Sequence, residues 1–327
     1  MQRNSIEEKK FVTVMIKMVG NNCNMNCEYC YEHGNRNVYD KFSTSIQVIE
    51  YLKKFTEYER IFIVFHGGEP LLAPKNEVRN ILDFIKKNFI NEYKIQIQTN
   101  GTLIDDEWIK MFQQFEPNLS LSLSLDPVGK QDLRRMNNGE YRSIVEGNLR
   151  KYSGDIKNIG VISVAHKFNR YAFKKFIRFL IDIGIKNLTI NKFRAVNEDD
   201  KAYLSEKEYV EMLEDIFIFW VSNGLYKLIN IQPLNSLFSL NGNKICIYLA
   251  DKRKCSYFKT FYSEQKQSNC CDHICNDEIP CIDRKCLECD IYSKCGGGCV
   301  TEFKDETYCD ARRRLFEFIE VIKYGSK

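Results

Sequence analysis

The amino-acid sequence predicts an α/β fold: a partial (β/α)6 TIM-like barrel followed by a small, cysteine-rich carboxy-terminal domain. Two features predict the barrel, namely six short runs rich in β-branched residues and the amphipathic segments that separate them. A third, the crowding of cysteines near the carboxy terminus, predicts the second domain. The 327 residues suffice for one large or two medium domains, and we place the barrel over 1–235 and the second domain over 236–327.

The six predicted strands alternate with stretches of helical periodicity. In these stretches apolar residues recur three or four positions apart, as at Phe173, Phe176 and Leu180. Because parallel strands joined by helices form right-handed βαβ units, the alternation favours a parallel, barrel-like sheet. The strands are predicted at 11–18, 61–65, 94–98, 119–125, 160–165 and 186–191.

The fourth predicted strand alternates strictly between leucine and serine. Successive side chains of a strand point to opposite faces, so one face is apolar and the other is polar. If the leucines pack under the helices, the serines line an open barrel that holds a ligand. The alternative is the solvated side of an ordinary sheet. The leucines are Leu119, Leu121, Leu123 and Leu125, and the serines are Ser120, Ser122 and Ser124.

Two long helices are predicted beyond the sixth strand. Over 204–224 an aromatic and aliphatic stripe has the spacing of a core face, and it comprises Tyr209, Leu213, Ile216 and Trp220. Over 311–323 a second amphipathic helix begins with the arginine run 312–314, which we expect on a solvated face.

Charge and hydropathy argue against nucleic acid and membrane partners. With 48 basic and 44 acidic side chains the net charge is +4, and no stretch of five or more lysines and arginines occurs. No apolar stretch is long enough for a membrane span, and no signal peptide is recognisable. We therefore expect a soluble, cytoplasmic protein.

The 14 cysteines form two distant groups. Three lie at Cys23, Cys27 and Cys30, none occurs over 31–245, and eleven lie within 246–309. In a reducing compartment such clusters indicate bound metal rather than disulfides.

The residues that follow the predicted strands carry most of the chemistry. In parallel α/β folds ligands bind at the carboxyl ends of the strands. There the sequence places the first cysteine group, the segment His66-Gly67-Gly68-Glu69-Pro70, and Thr99-Asn100-Gly101. No catalytic residue can be assigned, but the positional candidates for a proton acceptor are Asp126, His166 and Lys192.

The first cysteine group has the spacing C-x3-C-x2-C. A [4Fe–4S] cluster takes four thiolates, so three thiolates leave one iron open for a substrate or cofactor. A structural zinc completed by His33 is the alternative.

This spacing resembles the C-x3-C-x-aromatic-C motif of the radical S-adenosylmethionine (SAM) enzymes, with Tyr29 at the aromatic position. The resemblance implies a cluster whose open iron is chelated by SAM, and electron transfer that yields a 5′-deoxyadenosyl radical. Gly67, Gly68 and Glu69 resemble the family motif that holds the methionine amino group. The paired glycines would let the backbone approach the ligand closely, and the carboxylate would accept from the ammonium. His66 we expect to be structural.

Two further segments extend the resemblance. The run around Asn100 is similar to the family's QTNGTLI segment, and the run from Ser124 to Arg135 is similar to an SLDGP…HD…R stretch. The resemblance implies that Asn100, Ser124 and Arg135 contact SAM. The second segment departs from the pattern, since Pro127 replaces a glycine and the histidine is absent, so Arg134 could take the place of Arg135.

The second cysteine group contains C-x2-C-x5-C-x3-C-x9-C with three glycines inside it. The spacing alone also allows a zinc ribbon. Glycines let the backbone wrap a large inorganic core, and the arrangement resembles the SPASM domain, which holds two auxiliary [4Fe–4S] clusters. The resemblance implies an outer cluster on Cys286, Cys289, Cys295 and Cys309. It implies an inner cluster on Cys255, Cys281 and Cys299, with Cys246, Cys270, Cys271, Cys275 or no cysteine as the fourth ligand.

The resemblance implies an anaerobic, peptide-modifying oxidoreductase with three [4Fe–4S] clusters in all. Our first interpretation is a maturase that crosslinks a small ribosomal precursor peptide through a thioether, carbon–carbon or ether bond. Maturation of a sulfatase by formylglycine formation is the second, and a zinc-stabilised, non-catalytic binding protein is the third. A flavodoxin or ferredoxin would supply low-potential electrons. Because the sequence begins close to the first strand, the leader of the precursor peptide is expected to bind the barrel rim, the second domain or a separate protein.

Overall fold

The computed structural model describes residues 10–30, 32, 42–136, 140–238, 257–263, 266–268, 283–299 and 302–325. The strands in these ranges are β1 (Phe11–Ile16), β2 (Arg60–Phe65), β3 (Glu92–Thr99), β4 (Leu119–Ser124), β5 (Ile159–Ala165), β6 (Asn187–Lys192), β7 (Asn230–Gln232), β8 (Phe258–Ser263) and β9 (Lys266–Ser268).

The helices in the same ranges comprise one after each of the first six strands and four towards the carboxy terminus. They are α1 (Ser45–Leu52), α2 (Lys75–Asn88), α3 (Asp106–Gln113), α4 (Tyr141–Tyr152), α5 (Phe173–Asp182), α6 (Glu206–Ser222), α7 (Leu234–Phe238), α8 (Arg284–Leu287), α9 (Tyr292–Cys295) and α10 (Tyr308–Tyr324). The six predicted βα repeats are therefore confirmed, with strand ends that differ by one or two residues. None of the helices in the described segments has the length and apolarity needed to cross a membrane.

Two compact units divide the chain. The first comprises Met1–Ser124, Arg134–Ile159 and Arg253–Ile279, and the second comprises Leu125–Leu133, Gly160–Lys252 and Pro280–Lys327. Each unit therefore draws on distant parts of the sequence. The division does not follow the linear boundary at residue 235, which stays a prediction.

The first unit is built on strands in the order β4-β3-β2-β1-β8-β9. All neighbouring pairs are parallel except β8 with β9. Strand β8 was not predicted, because it lies in the cysteine-rich part of the chain and pairs with the amino-terminal strand. Its register sets Thr13 opposite Phe258 and Ile16 opposite Phe261.

The leucines of β4 are fully buried, as the alternation predicted. The opposite face is polar and continues onto β3, where the Gln96 side chain donates to the Ser122 hydroxyl at 2.7 Å. The Ser120 hydroxyl donates to the carbonyl of Ile95 at 3.1 Å. The two faces of this strand thus differ in the way that its sequence requires.

The second unit contains the parallel strands β5, β6 and β7 and the helix pair α6 and α10. Helix α6 begins with a capping box, in which the Ser205 side chain accepts from the N–H of Glu208 and the Glu208 side chain accepts from the N–H of Ser205. The predicted apolar stripe of α6 is buried, which confirms it as a core face.

The arginine run at the start of α10 corrects the expectation of a solvated face. Arg312 is 0% exposed, and it donates to the carboxylate of Glu206, which is also fully buried. Arg313 is partly exposed and Arg314 is exposed, yet both are ion-paired, with Asp290 and Glu214 respectively. The expectation is wrong for Arg312 because a guanidinium can be buried where a carboxylate of another helix meets it, and local sequence does not reveal that partner.

Candidate functional site

The loop after β1 carries the first cysteine group. Cys27 is buried, whereas Cys23 and Cys30 are partly exposed, and all three thiols are free of disulfides. The loop is compact, since the N–H of Cys30 donates to the carbonyl of Cys27 at 3.2 Å. Three thiols are thereby held within one short segment.

The paired glycines after β2 pack directly against this loop. A Cβ atom on Gly68 would lie 1.8 Å from the carbonyl oxygen of Asn22, and one on Gly67 would lie 2.7 Å from the Cβ of Lys17. Both glycines have positive φ, 81° at Gly67 and 21° at Gly68. The structure thus explains both glycines by their packing against the chain that leads into the cysteine loop, and the predicted close approach to a ligand stays a prediction.

Glu69 ties this segment to the loop after β3. Its carboxylate is fully buried and accepts from the N–H of Leu71 at 2.9 Å, the hydroxyl of Thr99 at 2.6 Å and the N–H of Asn100 at 2.6 Å. Burial raises the pKa of Glu69 to about 7, against the lowering effect of these three donors.

Asn100 and Thr102 hold the cysteine loop from the other side. The Asn100 amide donates to the side chain of Asn24 at 2.7 Å, and Asn24 donates to the Thr102 hydroxyl at 2.8 Å. Asn24 immediately follows Cys23. This set of hydrogen bonds fixes the beginning of the loop relative to the carboxyl end of β3.

The segment that ends at Met136 also packs on the cysteine loop. Met136 forms an isolated antiparallel bridge with Met25, and the guanidinium of Arg134 lies 5.4 Å from the ring centroid of Tyr29. Arg135 forms an ion pair with Glu28 at 2.8 Å. Both arginines therefore reach the loop, Arg134 buried and Arg135 partly exposed. Ser124 is the last residue of β4 and is partly exposed.

An ion pair that the sequence did not suggest anchors the far end of the loop. Lys17 and Glu32 are both buried, and the Lys17 Nζ lies 2.5 Å from a carboxylate oxygen of Glu32. The ammonium also lies 4.8 Å from the ring centroid of Tyr262 on β8. A charged residue at the end of an apolar strand was the available signal, but its partner could not be read from the sequence.

His66, which we expect to be structural, contacts its neighbour in the chain, and its role stays a prediction. The N–H of Gly67 donates to its Nδ1 at 2.5 Å, which leaves the proton of a neutral imidazole on Nε2.

The chemistry of the donor set fits an iron–sulfur cluster. Each cysteine can supply one thiolate, and in a multi-iron cluster each thiolate binds a different iron. Burial, followed by smaller contributions that include Glu69 and Cys27, raises the pKa of Cys23 to about 11, so this thiol loses its proton when metal binds. Within the ranges that the structure covers, no three Cys, His, Asp or Glu side chains are grouped closely enough for a single metal ion.

Four cysteines of the second group, Cys286, Cys289, Cys295 and Cys309, belong to the second unit, and some of their thiols act electrostatically on others. Burial is the main cause that raises the pKa of Cys286, with Asp283 next and the thiols of Cys309 and Cys289 adding to it. Burial likewise raises the pKa of Cys295, and Cys309 and Cys286 contribute.

The backbone between these cysteines needs its glycines. A Cβ atom on Gly297 would lie 3.3 Å from the Cys286 Sγ, and one on Gly298 would lie 1.8 Å from the hydroxyl oxygen of Tyr308. Gly296, Gly297 and Gly298 all have φ between 68° and 74°. Only glycine adopts three successive left-handed conformations readily.

The cysteine segment is anchored to α6 and α10. Cys295 belongs to a hydrophobic cluster together with Val210, Ala311, Leu315, Phe316 and Ile319. Arg313 forms two hydrogen bonds with Asp290, at 2.8 and 2.9 Å, next to Cys289. Cys299 is partly exposed.

Several predicted ligands lie outside the described residues. They are the inner-cluster candidates Cys255 and Cys281, the alternatives Cys246, Cys270, Cys271 and Cys275, and the zinc candidate His33.

The three positional candidates for a proton acceptor are all engaged within the second unit. Asp126 is 1% exposed and accepts from the N–H of Val164 at 2.7 Å and the hydroxyl of Ser163 at 3.2 Å. His166 is 1% exposed. Lys192 forms an ion pair with Glu206 at 2.8 Å.

Comparison with known proteins gives the chain its relatives. Residues 18–180 match the sequence profile of the Radical SAM superfamily. A cysteine-type anaerobic sulfatase-maturating enzyme of Clostridium novyi (strain NT) is 25% identical, over 97% of this chain and 98% of that protein. The radical SAM cyclopropyl synthase TigE of Paramaledivibacter caminithermalis is 22% identical, over 91% of this chain and 70% of that protein.

A solved structure extends the similarity to the fold. Native anSMEcpe with bound AdoMet and Cp18Cys peptide superposes with a TM-score of 0.76, at 18% identity, and the match covers 94% of this chain and 96% of that chain. The mixed α/β fold with its parallel sheet is thus that of a partial-barrel radical SAM core.

Proposed function

Because the chain belongs to the radical SAM superfamily, we propose that it oxidises a side chain of a peptide substrate. Cys23, Cys27 and Cys30 would hold the [4Fe–4S] cluster, and the open iron would take SAM. When bound, the cluster and SAM supply a 5′-deoxyadenosyl radical that abstracts a hydrogen atom. The observation that carries the proposal is the arrangement of three thiols on one loop that the segments after β2 and β3 both hold.

The residues around the loop divide into two roles. Gly67 and Gly68 let the backbone after β2 pack closely against the cysteine loop. We assign Tyr29, Ser124 and Arg135 to SAM binding, with Arg134 as the alternative to Arg135.

Glu69 and Asn100 make hydrogen bonds to other residues of the protein. The carboxylate of Glu69 already accepts three protein donors, which leaves about one of its four lone-pair positions for the methionine ammonium. We therefore assign Glu69 mainly to ordering the site. Asn100 holds Asn24 and lies beside Cys23.

We propose that Cys286, Cys289, Cys295 and Cys309 bind an outer auxiliary cluster. The three left-handed glycines between these cysteines support this assignment, as does the effect of neighbouring thiols on the pKa values of Cys286 and Cys295. Cys299 would bind an inner cluster together with Cys255 and Cys281. These clusters would take the electron that the substrate radical loses, and a flavodoxin or ferredoxin would reduce the SAM-binding cluster.

Formylglycine formation on a sulfatase is the first candidate reaction. The relative from Clostridium novyi, a sulfatase-maturating enzyme, aligns over nearly the full length of both chains. Crosslinking of a ribosomal precursor peptide, the first interpretation of the sequence, is the second candidate. It is supported by the alignment with TigE, which extends over most of this chain.

The test is mass spectrometry of two peptides incubated anaerobically with the reconstituted enzyme, SAM and reductant. One peptide spans the cysteine that a sulfatase converts to formylglycine, and the other is a short precursor peptide encoded beside this gene. Replacement of the thiol by an aldehyde supports the first candidate, whereas loss of two hydrogens from the precursor supports the second. Intact peptides with 5′-deoxyadenosine formed would contradict both substrates but not the SAM chemistry.

A further inference from the structure

Asn100 contacts both the buried carboxylate of Glu69 and the cysteine loop. Its backbone N–H donates to the Glu69 carboxylate at 2.6 Å, and the residue as a whole is 8% exposed. The next residue, Gly101, has a φ of 80°, and a Cβ there would lie 3.0 Å from Leu123. The turn therefore holds Asn100 in one place.

The orientation of the Asn100 amide follows from its partners. Its Oδ1 accepts from the N–H of Thr102 at 2.9 Å and from the Thr102 hydroxyl at 2.7 Å. A flipped amide would set the NH2 group against a backbone N–H, which cannot accept. The amide nitrogen must therefore face the cysteine loop.

In that direction the nitrogen has two neighbours. It donates to Asn24 at 2.7 Å and to the Sγ of Cys23 at 3.8 Å. The backbone N–H of Met25 donates to the same sulfur at 3.4 Å. Cys23 thus receives one N–H from its own loop and one from a side chain that the loop after β3 positions.

We propose that Asn100 donates an N–H···S hydrogen bond to the ligating sulfur of Cys23 and thereby raises the reduction potential of the first cluster. Such a bond withdraws electron density from the sulfur and stabilises the reduced cluster, since hydrogen bonds to the sulfurs are among the determinants of cluster potential. The inference rests on the proposed cluster at Cys23, Cys27 and Cys30, and it gives Asn100 a role other than contact with SAM.

The nearby carboxylate explains why this contact matters. One residue, Asn100, contacts both the carboxylate of Glu69 and the sulfur of Cys23, so a negative charge on Glu69 lies near the first cysteine and disfavours the added electron. Asn100 stands between the two groups, since it donates to the carboxylate with its backbone and to the sulfur with its side chain. The hydrogen bond from the Asn100 amide therefore offsets part of the lowering of the cluster's reduction potential that the Glu69 carboxylate causes.

The experiment is an EPR redox titration of the reconstituted full-length enzyme without SAM and without peptide. The signal that Cys27→Ala abolishes is assigned to the first cluster. Asn100→Ala, and Asn100→Ser in case the alanine variant does not fold, remove the amide. Thr102→Val is the matched control, because it removes a hydroxyl from the same network and leaves the amide nitrogen and the Thr102 N–H in place.

In both Asn100 variants we expect the ratio of reduced to oxidised cluster at a fixed potential to fall about tenfold, as for a hydrogen bond to a charged acceptor. For a one-electron couple this is a shift of 59 mV to more negative potential. Thr102→Val should leave the midpoint near that of the wild type.

An unchanged midpoint in the Asn100 variants without SAM would overturn the inference, as would an equal shift in Thr102→Val. A shift that arises only after SAM is added would overturn it in favour of a SAM contact. If Cys27→Ala and the wild type give the same spectrum, the proposed cluster site itself is wrong.

Discussion

The guanidinium of Arg312 on α10 is paired with the carboxylate of Glu206 at the start of α6, with an Nε–Oε1 distance of 2.5 Å and side-chain exposures of 1% and 0%. Lys192, at the end of β6, lies 2.8 Å from the other oxygen of the same carboxylate. Two helices and a strand of the second unit thus meet at one buried acid. Removing one partner of a buried ion pair leaves the other charge without that counterion and without water to replace it.

We expect Arg312→Met to lower the free energy of unfolding by about 3 kcal/mol, at the low end for a broken buried pair because Lys192 remains. The matched control is Arg313→Ala, whose solvent-screened pair with Asp290 should leave the free energy of unfolding almost unchanged. Chemical denaturation of the metal-free proteins measures both. Equal losses in the two variants would contradict the special importance of the buried pair.

Lys17→Met should destabilise the protein by about 3–5 kcal/mol, because it leaves the buried carboxylate of Glu32 without its ammonium partner. Since Glu32 follows the cysteine loop, the iron content of the first site should fall as well. The double variant Lys17→Met/Glu32→Gln should recover much of both losses. Iron analysis and thermal unfolding are the measurements, and a double variant no better than the single one would argue against this account.

Gly68→Ala should prevent the first cluster from assembling, because the new Cβ would overlap the carbonyl oxygen of Asn22 at 1.8 Å. The strain is at least about 1–3 kcal/mol. Gly147→Ala is the control: it lies within α4, nothing is found within 4 Å of its added Cβ, and it should stabilise the helix by about 0.5–1 kcal/mol. Full iron incorporation in Gly68→Ala would contradict the tight packing.

Cys27→Ala should abolish formation of 5′-deoxyadenosine while auxiliary iron stays bound, because it removes a ligand of the proposed SAM-binding cluster. Cys289→Ala and Cys309→Ala should keep SAM cleavage but stop product formation, because they disrupt only the outer cluster. Chromatography of the nucleoside and mass spectrometry of the peptide separate the two effects. Normal turnover in Cys289→Ala would rule out an essential outer cluster.

Asp305 gives the fold of the second unit a dependence on pH. Burial acts to raise its pKa, but hydrogen bonds from Thr307, Tyr203 and the backbone N–H of Glu206 outweigh burial and leave the pKa below its ordinary value. A lowered pKa means that the native state favours the carboxylate, so this stabilisation is present above the unfolded pKa and is lost as the pH falls through the folded pKa.

Asp305→Asn should therefore cost about 1–3 kcal/mol at neutral pH, because an amide nitrogen would face a donor. The difference in the free energy of unfolding between wild type and variant should shrink as the pH falls from 5 to below 4, which is about the unperturbed pKa of an aspartate. Denaturation curves of the metal-free proteins across this range are the measurement. A difference that grows on acidification would reverse the assigned sign.

The sequence by itself determined the features that depend on neighbours along the chain. Alternation in β4 and the stripes of α5 and α6 follow from the geometry of a strand and a helix, so their buried faces could be predicted residue by residue. The spacing of Cys23, Cys27 and Cys30 likewise pointed to an open cluster, because ligands on one loop have their separation set by the sequence.

Only the tertiary structure decided which distant residues meet. The partners of Lys17 and Arg312 lie on other elements, and a buried charge cannot be told from a solvated one until its counterion is found. The contact of Asn100 with Cys23 joins residues separated by two strands, and the pairing of β8 with β1 joins opposite ends of the chain. Periodicity indicates which face of an element is buried. The residues that cover that face come from distant parts of the chain, and the local sequence does not identify them.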